Sequence, residues 1–255
     1  MPTLSVIPSD RVTFAVAFED DDLLVIDKPA RLVTQPGKGH EDDTLLNGLF
    51  ARHGAALQNL GSARDFGLLH RLDRDTSGLL VVAKRAKAYD ALRKAFEKRE
   101  VRKFYWAAVS NTPKSATSVI RRKIAEYEGP GPKAKKGAPS RKLAKISNAG
   151  KEAVTAYRVL STSPLGAIVE CRPVTGRLHQ VRVHLASIGS PIAGDDLYAP
   201  DAVADLSARL ALHAHRLTFK HPITGAVIDT HSPWPSDLRS LLKRLRLEKP
   251  KDKPS

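Results

Sequence analysis

Apolar residues along this chain fall into short clusters, and each cluster has the spacing of one kind of element. Val12 to Phe18 predicts a strand, with Thr13 and Phe14 suited to it. Asp20-Asp21-Asp22 predicts a turn, and Leu23-Leu24-Val25-Ile26 a second strand stopped at Lys28-Pro29. Thr44 to His53 predicts a helix with Leu45, Leu46 and Leu49 on one face. The run Leu79-Leu80-Val81-Val82-Ala83 has strand length and no polar side, so it predicts a strand buried on both faces. Over 86–99 the apolar residues Ala88, Leu92 and Phe96 fall four apart, the spacing of a helix. Val101 to Val109 returns to strand.

The second half repeats this mixture. Val154 to Leu160 and Ala167 to Val174 predict strands. Leu178 to Ile188 predicts a helix: Leu178, Val181, Leu185 and Ile188 share a face, and Gly189 then Pro191 end it. Leu210 to Phe219 and Ala226 to Thr230 predict late strands. Ser236 predicts the cap of a last helix, with Leu238, Leu241, Leu242 and Leu245 at helical spacing. Strands and helices do not alternate strictly, which favours an α+β fold with a mixed, largely antiparallel central sheet flanked by helices and loops. One domain over 12–246 is expected, after an irregular lead-in over 1–11 and before a basic, disordered tail over 247–255. Residues 128–150 show no periodic apolar face. Gly129-Pro130-Gly131-Pro132 precedes Lys133, Lys135, Lys136, Arg141, Lys142 and Lys145, so a flexible basic loop is expected there, able to order on RNA.

Charge narrows the partners. The 255 residues hold 42 Lys+Arg against 27 Asp+Glu, a net +15. Such a basic chain favours a polyanion, with nucleic acid foremost. A single cysteine, Cys171, excludes an internal disulfide and a cysteine-based zinc site, and reads as a small buried hydrophobe. No apolar run approaches a membrane span, and the N-terminus has no signal-peptide pattern, so no membrane and a cytoplasmic location are expected. The histidines His70, His179, His184, His213 and His215 lack metal-ligand spacing, and no Walker loop or Gly-x-Gly-x-x-Gly is present. No metal and no cofactor are expected.

Chemistry concentrates at His70-Arg71-Leu72-Asp73-Arg74-Asp75-Thr76-Ser77-Gly78, where five of nine residues are ionisable and a buried strand follows. Carboxylates flanked by Arg near an apolar wall suit a reactive Asp, and equally suit a salt-bridged loop. Asp73 and Asp75 would point the same way in an extended segment and need not at a bend.

The stretch resembles the signature of the RluA-type RNA pseudouridine synthases. Further blocks share the likeness in the family's order: Asp27-Lys28-Pro29-Ala30, Lys103-Phe104-Tyr105-Trp106-Ala107, and Thr175 through His184 with Gly194-Asp195 and Tyr198. The likeness runs from about Val12 to Pro235. It implies the pseudouridine synthase fold and an isomerase, without net redox, that flips a uridine out of structured RNA, ribosomal or transfer. The C1′–N1 bond breaks and the freed base rejoins through C5. The resemblance assigns Asp73 as the catalytic carboxylate in preference to Asp75, sets Arg182 against it, and places Tyr105 near the base. It suggests Arg71 as a wedge in the space the base leaves, with His70, Arg74, Thr76, His179 and Gln180 as further substrate-binding positions. His179 and Arg182, three apart, are expected on one helix face. The family's usual Asn-Lys-Pro-Ala-Gly reads Asp27-Lys28-Pro29-Ala30-Arg31 here, which puts substrate preference in question. No separate N-terminal RNA-binding module is expected, and a monomer is the default. A non-catalytic RNA binder and a glycoside hydrolase using Asp73 with Asp75 are the competing readings.

Overall fold

The computed structural model describes residues 5–131 and 140–250. In chain order the first elements are β1 (Ala15–Glu19), β2 (Leu23–Lys28), α1 (Leu45–Leu60), β3 (Ser77–Ala83), α2 (Ala86–Glu97) and β4 (Arg102–Val109). Next come β5 (Thr117–Arg121), β6 (Ile124–Gly129), β7 (Arg141–Ile146), β8 (Val154–Ser163) and β9 (Gly166–Pro173). The last are α3 (Gln180–Ser187), α4 (Asp201–Ala204), β10 (Leu212–Lys220), β11 (Val227–His231) and α5 (Arg239–Leu245). They fall into two units, one of residues up to 102 with 214–232, the other of 103–213 with the residues from 233 on.

In the first unit β3 is buried along its whole length, as its unbroken apolar run predicts. It lies between β2, its antiparallel partner, and β10, which carries β11 on its other side. β1 completes the edge. The glycine of Thr76-Ser77-Gly78 is required by close packing: a Cβ on Gly78 would lie 2.3 Å from the carbonyl oxygen of Ala214. Helix α1 starts after Thr44 and runs past His53, whose non-helical backbone kinks it, on to Leu60. The helix expected to stop at His53 is therefore longer, because Leu57 and Leu60 also bury.

The second unit strings β4, β9, β8 and β5 into an antiparallel sheet. A separate hairpin pairs β6 with β7, Tyr127 opposite Leu143 and Gly129 opposite Arg141. The fold is α+β with a largely antiparallel sheet, as the sequence pattern implies.

Three expectations need correction. Residues 141–146 are not loop but strand β7. Lysines and arginine crowd that strand, so only Leu143 and Ala144 bury, and two neighbouring apolar residues show no period. Lys133, Lys135 and Lys136 lie outside the described residues. Helix α3 begins at Gln180, so Leu178 and His179 precede it. Ser236 does not cap the last helix by its side chain; it opens a 3₁₀ turn (Ser236–Leu238) leading into α5. The apolar positions Leu238, Leu241, Leu242 and Leu245 bury as expected. The lead-in is irregular over 5–11, and most of the expected tail, 251–255, lies outside the described residues.

Candidate active site

The signature segment is an irregular stretch entering β3, closed by a turn in which the Thr76 N–H donates to the Asp73 carbonyl at 3.1 Å. It is a bend, so Asp73 and Asp75 need not point the same way. Both are half-buried, while Arg71 and Arg74 are exposed. What fixes the segment is the hold on its carbonyls. Lys28, wholly buried at the end of β2, donates from Nζ to the carbonyls of Pro29 and Leu32, each at 2.9 Å, and of Arg74 at 3.2 Å. The buried Thr34 hydroxyl donates to the Leu72 carbonyl at 2.9 Å, and Thr34's own carbonyl accepts the Leu46 N–H at the start of α1. Asp73 therefore sits between two carbonyls tethered to the 28–34 segment. Burying an ammonium is costly unless it is well bonded, and these carbonyls supply that bonding.

The other side chains of the segment divide. His70 accepts the Val81 N–H at Nε2, 3.3 Å, and its ring lies 5.1 Å from that of Phe96, so it braces β3 and α2. Thr76 Oγ1 is buried and has no hydrogen-bond partner among the described residues. A buried hydroxyl left so costs about 1–3 kcal/mol, which makes it a natural place for a bound partner.

On β4, Tyr105 is buried opposite Cys171 of β9. Alternation puts Trp106 on the other face, where it packs against Trp234 and His213, with ring centres 6.1 and 6.3 Å away. Lys103 shares the Tyr105 face, and burial lowers its pKa to about 8. Cys171 is buried and burial pushes its thiol up, so it is an inert hydrophobe as expected.

The third block is bound by its own side chains. Gln180 Oε1 accepts the Thr175 hydroxyl at 2.8 Å and the Arg177 N–H at 3.1 Å. Its Nε2 donates to the Val154 carbonyl at 3.0 Å and to Thr155 Oγ1 at 2.9 Å. All four bonding positions of the amide are thus used by the protein. This makes Gln180 a brace of the 175–179 turn. His179 is the residue before α3, in the left-handed conformation at φ 51°. Instead of sharing a helix face with Arg182, it meets it at Tyr198. The His179 Nδ1 lies 2.6 Å from the Tyr198 hydroxyl, and the Arg182 guanidinium 5.1 Å above the same ring. Arg182 is 3 % exposed and makes a bidentate pair with buried Asp195, at 2.9 Å and 2.7 Å. Asp195 and Tyr198 belong to the blocks that carry the resemblance, but nothing in their spacing connects either to Arg182.

The histidines are structural where their partners are seen. His184 donates from Nε2 to the Arg122 carbonyl at 3.0 Å and accepts the Thr155 hydroxyl at Nδ1, 2.9 Å; burial lowers its pKa. Among the described residues Asp20, Asp22 and His221 form the one cluster with metal-ligand spacing, which the sequence reading missed. His221 Nδ1 accepts the N–H groups of Ile223 and Thr224, so its proton is on Nε2, which donates to Asp20 at 2.8 Å. That ring is closed by the protein on both sides. No helix among the described residues is long and apolar enough to cross a membrane.

Residues 22–187 match the family model for RNA pseudouridylate synthase. An uncharacterized RNA pseudouridine synthase of Synechocystis is 36% identical over 239 residues, covering 93% of this chain and 71% of that protein. The ribosomal large subunit pseudouridine synthase D of Zymomonas mobilis is 37% identical over 248 residues, covering 94% and 75%. Among solved structures, human RNA pseudouridylate synthase domain containing 4 superposes with a TM-score of 0.70 at 28% identity, covering 93% of this chain and 95% of that one. These matches define an RNA-modifying isomerase. The chain belongs to the RNA pseudouridylate synthase family.

Proposed function

We propose that this enzyme converts a specific uridine of structured ribosomal RNA into pseudouridine, with Asp73 as the catalytic carboxylate. The single observation that carries the assignment is the tethering of the carbonyls of Leu72 and Arg74, on either side of Asp73, by Thr34 and Lys28. A carboxylate that must meet a sugar or base at a set distance needs such a rigid mount. Relatives such as the ribosomal large subunit pseudouridine synthase D of Zymomonas mobilis favour ribosomal RNA over transfer RNA.

In this reading the uridine is unstacked and turned outward, with exposed Arg71 entering the space it leaves. Asp73 acts on the sugar or base, the C1′–N1 bond breaks, and C5 bonds to C1′. The C5 proton leaves to solvent and the freed N1 takes one up, so atoms and electrons balance without a redox partner. Tyr105 packs near the base, and the Thr76 hydroxyl supplies an unfilled bond to the substrate. The resemblance assigns Arg182 to keep Asp73 ionised. His70 and Gln180 hold the two loops in shape, and Arg74 contacts RNA phosphates. Arg141, Lys142 and Lys145 on β7 add phosphate contacts, and the +15 charge gives binding a steep salt dependence.

The test is tritium release from ribosomal RNA carrying 5-³H-uridine, with the wild type and Asp73→Asn. Release by the wild type alone supports the reading. No release by the wild type rejects it in favour of a binding protein, and free uracil as product rejects it in favour of a hydrolase.

A further inference from the structure

Tyr198 lies where three parts of the second unit meet. Its hydroxyl accepts the Ala144 N–H of β7 at 3.0 Å. The same oxygen is 2.6 Å from His179 Nδ1. Its ring lies under the Arg182 guanidinium, and its own N–H donates at 3.1 Å to Asp195 Oδ1, which also accepts from Arg182 Nη2. At the base of the hairpin Ile124 and Ala144 bury with Val183 of α3, and Tyr198 packs against that cluster.

A backbone N–H can only donate, so Tyr198 Oη accepts from Ala144, and the one proton of the hydroxyl is available to His179 Nδ1. Neutral His179 then carries its proton on Nε2. Burial pushes the Tyr198 hydroxyl up to about 12, so it remains a neutral donor at physiological pH. One hydroxyl thus joins the hairpin backbone to the histidine before α3, while the ring and main chain of the same residue meet Arg182 and its partner.

We propose that Tyr198 is a positioning residue that couples the seating of the β6–β7 hairpin to the placement of His179 and Arg182. The inference rests on the synthase reading above. RNA drawn to Arg141, Lys142 and Lys145 would set the hairpin, the hairpin would set the hydroxyl, and the hydroxyl would orient the imidazole.

The experiment measures kcat and KM by tritium release on a ribosomal RNA fragment for the wild type and Tyr198→Phe. It then measures Lys142→Ala/Lys145→Ala in both backgrounds. Loss of a single buried bond of this kind predicts kcat about tenfold lower in Tyr198→Phe. KM should change by less than about twofold, because no RNA contact is removed. In the wild-type background the lysine changes should raise KM and also lower kcat; in the Tyr198→Phe background they should raise KM only. A wild-type kcat in Tyr198→Phe, or equal effects of the lysine changes on kcat in both backgrounds, overturns the coupling. Should Tyr198→Phe melt below the assay temperature, ¹⁵N NMR of His179 in the wild type decides: a protonated Nδ1 overturns it and a protonated Nε2 upholds it. A wild type without activity would remove the synthase reading itself, which is a separate outcome.

Discussion

The two loops that carry most of the candidate site residues are held in opposite ways. The 69–76 loop is gripped from outside: Lys28 and Thr34 bind its carbonyls, the Arg71 and Arg74 side chains are exposed, and the Thr76 hydroxyl has no protein partner among the described residues. The 175–182 loop is gripped from inside, since Thr175 and Gln180 spend their own polar groups on the scaffold. A loop bound through its main chain keeps its side chains available for a substrate. A loop bound through its side chains can only present what the scaffold has not used. The first arrangement suits chemistry at Asp73, and the second suits the fixed placement of Arg182.

Removing the grip on the first loop should have the largest effect. Lys28→Met keeps the length of the side chain and leaves three part-buried carbonyls without their donor, so it should destabilise the protein by about 3 kcal/mol. Activity should fall with it even at a temperature where the variant is folded. Denaturant unfolding and tritium release on the same sample check both. A variant as stable as the wild type would mean the ammonium's burial cost cancels its bonds.

The matching change in the second loop is Gln180→Leu. It strands the Arg177 N–H and removes one of the two bonds to the Val154 carbonyl, which keeps the Val174 N–H, at a cost of about 2 kcal/mol. If the comparison holds, kcat should fall less here for each kcal/mol of stability lost than in Lys28→Met, because Gln180 braces the 175–179 turn and holds neither carbonyl beside Asp73. Equal losses would erase the distinction between the two loops.

How much of this was legible in the sequence follows from the range of each interaction. Strand β3 announced itself because burial on both faces needs only an unbroken apolar run. The hairpin strand β7 did not, because its partner β6 supplies the context and half of its own residues are Lys or Arg. Asp73 and Arg182 are candidates only through a resemblance to a known family; their own spacing leaves them as ordinary ion-pair or surface residues. Lys28 was visible as part of a motif, but a lysine is expected at the surface and nothing local says that this one is wholly buried. Gly78 was likewise part of a motif whose physical reason, the Ala214 backbone, lies far along the chain. His179 was placed on a helix by periodicity, which cannot see a left-handed residue.

A gentler probe of the first loop is Thr34→Val, which keeps the shape and removes one bond to the Leu72 carbonyl. It should cost about 1–2 kcal/mol. Thr34→Ser, which retains the hydroxyl, should recover most of the lost kcat. Failure of serine to do so would assign the effect to packing of the methyl group.

The smallest effect should be a gain. Arg31 stands where the family's usual block has glycine, and it adopts the left-handed backbone at φ 64° in the turn after Pro29. A side chain with a Cβ pays about 1 kcal/mol in that region, and glycine does not. Glycine returns part of the difference through a freer unfolded chain, so Arg31→Gly should stabilise the protein by about 0.5 kcal/mol. The expected shift is about 1–2 °C in Tm for a chain of this size. Arg31 is exposed at the end of the block that Lys28 ties to the Asp73 turn, so on the synthase reading its charge would add to the attraction of RNA. The variant should therefore be more stable while its KM for RNA rises, and the rise should shrink at high salt. A variant that gains stability with unchanged KM would leave the strain without a functional counterpart. One that loses stability would show that the arginine side chain makes contacts worth more than its backbone costs.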